Sequence, residues 1–348
     1  MATIPTRKIG NDDVAAIGLG LMGLSAFYGQ VESDEERFKF LDVALEEGAT
    51  FWDTADVYGD SEDLVGKWLK RTGNRNKIFL ATKFGFVVTE TGRGVNGKPE
   101  YAKSACAKSL KRLGVEQIDL YYLHRADPTV PIEPADPSMI NRQKTVSAMA
   151  ELVKEGKVRY LGLSEVSSAT LRRAHAVHPI TAVQVEYSPF TLDIEDDKIA
   201  LFKMCRELGV AVIAYSPLGR GLLTGQYKSP DDFEEGDFRR GIPKFSSKEN
   251  FTKILQLVDG LAEIGKKYNA TAGQIALSWV FAQGKDIIPI PGTKKIKYLK
   301  ENLASVHIKL TDEDERKIRK LAEDSEIMGQ DRYPPDMQAN IFVDTVPL

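Results

Sequence analysis

Four side chains of complementary chemistry stand in similar settings along this chain: Asp53, Tyr58, Lys83 and His124. Asp53 follows the short apolar run Ala49-Thr50-Phe51-Trp52, and Tyr58 comes five residues later, beside Gly59, in what must be a loop. Lys83 ends Ile78-Phe79-Leu80-Ala81-Thr82, and His124 ends Ile118-Asp119-Leu120-Tyr121-Tyr122-Leu123. A tyrosine hydroxyl, with an ordinary pKa of about 10, is a poor proton donor at neutral pH. A neighbouring ammonium stabilises the phenolate, so Lys83 could acidify Tyr58 while Asp53 holds Lys83 charged and aimed. His124 could hydrogen-bond the same oxygen that Tyr58 protonates and so orient it. Such a set suits reduction of a carbonyl, with Tyr58 delivering a proton to the developing alkoxide. No side chain supplies hydride, so a bound hydride donor is required. The set needs no metal.

Taken singly, each residue has a plainer reading. An Asp after a strand is commonly a turn or helix cap, a Lys an exposed charge, a Tyr a packed ring, and a His a satisfied rim residue. The combination changes the reading, because three successive strand-like runs each deliver an ionisable group at the C-terminal end. In a parallel barrel that edge gathers catalytic groups.

The surrounding elements support such a barrel. Thr6 to Val14 reads as a small hairpin with a polar turn. After Val14-Ala15-Ala16-Ile17 comes Gly18-Leu19-Gly20-Leu21-Met22-Gly23, which satisfies the dinucleotide fingerprint G-x-G-x-x-G. That fingerprint works only when its third glycine opens a helix holding the pyrophosphate. Here Ser25 to Gln30 intervenes, and the helix signal starts at Ser33, which with Glu36 forms a capping box ahead of Phe38, Leu41 and Leu45. Glycines lining a barrel mouth beside a ligand fit better. Further helices are predicted at Ser61–Lys70, from Pro99 to Leu113 closed by Gly114, around Val146–Val153, and at 169–177, 199–208, 254–268, 272–282, 296–304 and 312–322. Strands are predicted at 78–82, 118–123, 158–163, 182–185, 210–214 and 286–290, with a glycine-rich loop at Gly85–Gly97 and a long charged loop at Pro217–Asn250. Counting from Ala15, eight strand signals alternate with helices, with no linker, repeat or composition break. The expected fold class is α/β, a single (β/α)8 TIM barrel over residues 1–348, with an N-terminal β-hairpin and with extra loops and a C-terminal tail over the barrel.

With 348 residues, 42% hydrophobic and 28% charged, the chain has length for a large core, and its formal net charge of −3 gives no reason to expect nucleic acid or an anionic membrane as partner. No apolar run reaches the roughly 18 residues that span a bilayer. The first residues lack the apolar core of a secretory signal. Cys106 and Cys205 fall in helical stretches without CxxC spacing, as buried reduced thiols would, so a cytoplasmic protein is expected. His175 and His178 have metal-ligand spacing but no evident carboxylate or cysteine partner, so they read as solvent-facing. Asp231 to Glu235 reads as a solvated loop. No metal is expected.

The chain strongly resembles the aldo-keto reductase superfamily. The resemblance is carried, in family order, by Trp52-Asp53-Thr54-Ala55 with Tyr58-Gly59, Ala81-Thr82-Lys83, Leu120-Tyr121-Tyr122-Leu123-His124, Gly162-Leu163-Ser164, Gln184-Val185-Glu186-Tyr187, Tyr215-Ser216-Pro217-Leu218-Gly219-Arg220-Gly221 and Ile290-Pro291-Gly292-Thr293. The Ser164-Glu165 pair and the Gly292-Thr293-Lys294 loop look like the plant and fungal branch that includes pyridoxal, aryl-aldehyde and perakine reductases. The resemblance implies Tyr58 as proton donor, Lys83 and Asp53 as its tuners, and His124 as the residue orienting the carbonyl. It implies NADP(H) as cofactor, with Ser164 and Gln184 at the carboxamide and Tyr215 stacked on the nicotinamide. Ser216, Leu218, Gly219 and Gly221 would wrap the pyrophosphate with Arg220 nearby. Gly292, Thr293 and Lys294 would meet the 2′-phosphate, and Tyr298, Glu301 and Asn302 the adenine. Met22 and Asp53 also border the cofactor. Two positions depart from the pattern: Glu165 replaces a frequent asparagine, and Tyr298 a frequent arginine, so preference for NADPH rests on Lys294, Lys295 and Lys297.

The expected activity is therefore NADPH-dependent reduction of aldehydes or ketones, over a pocket lined by Met22, Phe27, Tyr28, Phe86 and the loop after His124. A rival reading is an NADP(H)-sensing binding subunit similar to potassium-channel β-subunits, although nothing here resembles a channel-docking extension. A two-domain Rossmann dehydrogenase would require a helix starting near Gly23. Specificity is expected on the loops Gly85–Gly97, Arg125–Met139 and Pro217–Asn250 and on the tail. Nothing in the pattern names the carbonyl compound or sets the oligomeric state.

Overall fold

The computed structural model describes residues 3–89, 92–133, 144–325 and 331–347. In chain order its strands are β1 (Thr6–Ile9), β2 (Asp12–Ala15), β3 (Leu19–Gly20), β4 (Phe51–Asp53), β5 (Phe79–Phe84), β6 (Phe86–Thr89), β7 (Gly92–Val95), β8 (Ile118–Leu123), β9 (Val158–Ser164), β10 (Ile180–Glu186), β11 (Ala211–Tyr215) and β12 (Ile287–Pro289). Strands β1 and β2 form one antiparallel hairpin and β6 and β7 another. The other eight are parallel and lie side by side in chain order from β3 to β12. The ends of that sheet meet: Gly20 bridges Gly292, the Gly18 N–H donates to the Pro289 carbonyl at 2.9 Å, and the Gly20 N–H donates to Pro291 at 3.2 Å. The result is the (β/α)8 barrel expected from the alternation.

The first barrel strand differs from expectation. Ala15 and Val14 pair with Thr6 and Arg7 in the hairpin, so the first barrel strand falls later, at Leu19–Gly20 inside the glycine run. Gly23 does sit in a helical turn, Met22–Ser25, but Ala26 is already extended, and the long helix starts at Asp34. The Ser33 side chain caps that helix by accepting the Glu36 N–H at 3.3 Å. The sequential order of the sheet leaves no doubly wound fold for the fingerprint to serve. Gly85–Gly97, expected as loop, contains the β6/β7 hairpin. The long segment after β11 folds into four short 3₁₀ turns, and the next helix starts at Lys248, capped by Ser247. Residues 134–139 of the expected specificity loop lie outside the described residues.

Two apolar layers hold the barrel. Phe51, Ala81, Leu120, Tyr122, Ala182, Ile213 and Ile288 fill its interior, with Ile9 and Val14 of the hairpin packed among them. Alternate residues point outward under the helices, as period-2 geometry requires. Trp52 and Trp68 meet there at 4.7 Å between ring centres, fully buried. Each such large side chain contributes about 2–3 kcal/mol by leaving water. The tail is stitched to the barrel rim: Val343 bridges Val166, and the Ser167 N–H donates to the Val343 carbonyl at 2.9 Å. It lies over the barrel, as expected.

Candidate active site

The C-terminal ends of β4, β5 and β8 bring Asp53, Lys83 and His124 to one rim, and the loop after β4 returns Tyr58 among them. That loop is held rigidly. The Asp56 N–H donates to the Lys83 carbonyl at 3.1 Å, and Arg112 donates to the carbonyls of Asp56 at 2.9 Å and Gly59 at 2.6 Å. Gly59 has φ +56°, and a Cβ there would stand 2.8 Å from the Ser25 carbonyl, so only glycine fits.

Lys83, fully buried behind Tyr58, donates to Asp53 Oδ1 at 2.5 Å and to the Thr54 carbonyl at 2.6 Å. Its Nζ lies 4.9 Å from the Tyr58 ring centre. The Tyr58 and His124 rings meet edge to face at 5.6 Å. Asp53 Oδ2 accepts from the Gln184 amide at 2.8 Å, so both oxygens of this carboxylate are engaged. Burial pushes the Asp53 carboxyl up and the Lys83 ammonium down, and their pairing opposes both shifts. The expected acidification of Tyr58 is not seen: burial holds its hydroxyl well above the ordinary value, with the Asp53 charge adding to the effect. Asp53 raises Tyr58 through its own charge, while it favours the charged form of Lys83 against burial. Burial, reinforced by Arg125, holds His124 far below its ordinary value, so its ring is neutral. Its Nδ1 is buried without a partner, which leaves Nε2 as the nitrogen that can meet a ligand.

A cleft of about 540 Å³ opens over this group. Met22, Asp53, Tyr58, His124, Ser164, Gln184, Tyr215, Ser216, Leu218, Arg220, Gly221, Gly292, Thr293, Lys294, Tyr298, Glu301 and Asn302 all line it. Phe27, Tyr28 and Phe86 line it too. Lys83 sits beneath, and Gly219 turns away, its N–H spent on the Ser216 carbonyl at 2.8 Å. The Gly221 N–H likewise donates to Leu218 at 3.0 Å. Left-handed backbone at Ser216, Gly219, Arg220 and Gly221 curls this loop tightly around the rim.

Arg220, Lys294 and Tyr215, expected at the cofactor, are among those already engaged by protein partners. Arg220 turns to Glu186 at 3.0 Å and lies 4.5 Å from the Tyr333 ring centre. Lys294 reaches across the mouth to donate to the carbonyls of Tyr28 at 2.5 Å and Gln30 at 2.7 Å. Tyr215 donates to Glu165 at 2.7 Å and meets the Tyr333 hydroxyl at 2.8 Å. Glu165 itself is buried outside the cleft lining, paired with Arg332 of the tail at 3.1 Å.

Arg125, Arg239, Phe238 and Tyr333 also line the cleft; none was singled out from the sequence, but they lie on the loop after His124, the Pro217–Asn250 segment and the tail, where specificity was expected. Arg125 follows His124 directly, and that adjacency could have found it. Tyr333 comes from a tail with no periodicity, and Arg239 from a segment of isolated turns, so neither had a pattern to find.

Residues 16–323 match the model of the Aldo/keto reductase family. Over 331 residues the chain is 63% identical to aldo-keto reductase str7 of Strobilurus tenacellus, covering 94% of each protein. Over 350 residues it is 50% identical to aldo-keto reductase yakc of Schizosaccharomyces pombe, whose name carries NADP(+), covering 99% of each. Among solved structures it is similar to the glycerol dehydrogenase AKR11B4 from Gluconobacter oxydans, with a TM-score of 0.80 at 26% identity, covering 100% of this chain and 99% of that one.

Proposed function

The chain belongs to the aldo/keto reductase family, and we propose that it reduces the carbonyl of a small aldehyde or ketone with NADPH, Tyr58 giving the proton. The observation carrying this reading is the grouping of Tyr58 with Lys83, 4.9 Å from its ring centre, and His124, 5.6 Å ring to ring, at the head of one long cleft. The name of the relative yakc supports the choice of cofactor.

The donor set along the cleft fits such a cofactor. Ser164 and the Gln184 carbonyl oxygen would hold the carboxamide, Tyr215 the ring face, the Ser216–Gly221 loop the pyrophosphate, Gly292 to Lys294 the 2′-phosphate, and Tyr298, Glu301 and Asn302 the adenine. When bound, NADPH supplies the hydride. The substrate oxygen sits between Tyr58 and His124. Neutral His124 donates a hydrogen bond that orients it, and Tyr58, fully protonated at neutral pH, passes its proton as charge develops there. Lys83 is then the adjacent ammonium for the phenolate that remains, and Asp53 keeps it charged despite burial.

The barrel, hairpin and tail act as one domain over residues 1–348. No helix among the described residues is long and apolar enough to cross a membrane. Buried, unbridged Cys106 and Cys205 support a reducing compartment such as the cytoplasm.

Tyr58→Phe should slow NADPH oxidation with para-nitrobenzaldehyde by about 100-fold or more while leaving NADPH binding intact. A near-normal rate would remove Tyr58 from its role. Tight cofactor binding by the unaltered protein without turnover of any aldehyde would favour the sensing subunit.

A further inference from the structure

Besides Lys83 and Arg239, each paired with its own aspartate, four cations are sunk in the fold around the reaction end of the cleft: Arg125 at 6% exposure, Arg220 at 8%, Arg332 at 3% and Lys244 at 2%. Three carboxylates answer them. Arg332 pairs with Glu165 at 3.1 Å, Glu186 at 3.3 Å and Asp193 at 3.8 Å, and Arg220 pairs with Glu186 at 3.0 Å. One positive charge is left over.

Lys244 and Arg125 are the two without a carboxylate in an ion pair among the described residues. Lys244 donates to the Phe190 carbonyl at 2.9 Å, lies outside the cleft, and is pulled down by burial to about 8, so it can shed its proton. A guanidinium has no such escape. Arg125 donates to three neutral oxygens: the His124 carbonyl at 2.7 Å, Ser164 Oγ at 3.3 Å and the Tyr333 hydroxyl at 3.4 Å. The last two are long contacts. The Glu165 carboxylate acts on Arg125 only at a distance, without an ion pair; a buried charge with no carboxylate in contact is costly, and this one faces the cleft beside His124.

We infer that Arg125 is a specificity-determining residue that receives a carboxylate carried by the substrate, so that the preferred substrates are aldehydes or ketones bearing an acid group. The planar fork of a guanidinium matches a carboxylate with two parallel hydrogen bonds. Its place fits a substrate group and not a cofactor phosphate. It adjoins His124 and Tyr333, whereas the loops suited to phosphates begin at Ser216 and Gly292. The inference rests on the reductase reading above and names its substrate class.

Para-carboxybenzaldehyde and para-nitrobenzaldehyde are alike in shape but differ by a full negative charge; their different electron withdrawal cancels when a variant's ratio is compared with that of the unaltered enzyme. With NADPH, Arg125→Met should lower the ratio of their kcat/KM values, carboxylate over nitro, by about 10- to 100-fold, mostly through the KM of the acid. Arg125→Lys should recover part of that ratio. A ratio unchanged in Arg125→Met, with both aldehydes slowed alike, would overturn the inference and make Arg125 a support for Ser164 and His124. Should the variants fail to fold, the unaltered enzyme decides: benzoate should compete with para-nitrobenzaldehyde and benzamide should not, and equal inhibition by both overturns the inference. Should the unaltered enzyme reduce neither aldehyde, the reductase reading fails on its own. Benzoate against benzamide binding to the NADPH-loaded protein, read from cofactor fluorescence, then judges Arg125.

Discussion

Gly20 and Gly292 face each other across the seam that closes the barrel, and backbone carbonyls of the seam leave no room for a side chain on either. A Cβ on Gly20 would stand 2.9 Å from the Ile290 carbonyl, and one on Gly292 would stand 2.9 Å from the Gly20 carbonyl. Both neighbours are backbone atoms of the seam, so they cannot swing away.

Gly20→Ala should therefore destabilise the fold by about 1–3 kcal/mol, as over-packing of a tight site does. Gly23→Ala is the control: its Cβ would meet only Tyr28, at an ordinary 3.6 Å, and should change stability by less than about 0.5 kcal/mol. Urea unfolding of the two variants checks this. Equal losses at both positions would mean that the seam is not where the first glycines matter.

Glu165 and Arg332 should behave as a coupled pair. Arg332→Met leaves a buried carboxylate holding only the Tyr215 hydroxyl and the Glu186 N–H, and should cost about 3–5 kcal/mol. Adding Glu165→Gln removes the stranded charge, so the double variant should be less destabilised than the two single losses together. A double-mutant cycle in urea measures the coupling, and strict additivity would show that the tail is held by its other contacts.

The carboxyl of Asp56 sets a pH dependence. Its Oδ1 is buried without a partner, and burial, with Glu62 adding, pushes the group up to about 7. In the unfolded chain it titrates near its ordinary value of about 4. The folded state thus keeps a proton that the unfolded state has released. That contribution to stability is fully present below about pH 4 and is lost as pH rises through about 7. Asp56→Asn carries no such penalty, so its melting temperature relative to the unaltered protein should climb between about pH 5 and pH 8. Parallel melting curves across that range would show Asp56 ionised in the fold throughout.

Lys294 spans the mouth to the Tyr28 and Gln30 carbonyls, neutral partners that a phosphate would outbid. Lys294→Met should weaken NADPH binding by about tenfold and NADH binding by less, as fluorescence titration would reveal. Equal weakening of both would assign Lys294 to holding the Tyr28 loop alone.

Much of this protein was legible in the order of its residues. The alternation of eight apolar runs with amphipathic helices dictated a parallel barrel, because strand pairing in that topology needs a covered sheet and a crossover between neighbours. Asp53, Lys83 and His124 were readable as a group because each directly ends a strand, and strand ends in a barrel converge on one rim. Other features were decided by tertiary structure alone. The pairing of Asp53 with Lys83 was readable, but that burial, with the Asp53 charge adding to it, would hold the Tyr58 hydroxyl above its ordinary value depends on tertiary enclosure that no spacing encodes. The hairpin took Ala15 from the first barrel strand because antiparallel pairing with Thr6 was at hand. Tyr333, Arg332 and Glu165 met only when an aperiodic tail crossed the rim, where a buried ion pair, and not local propensity, decided its path.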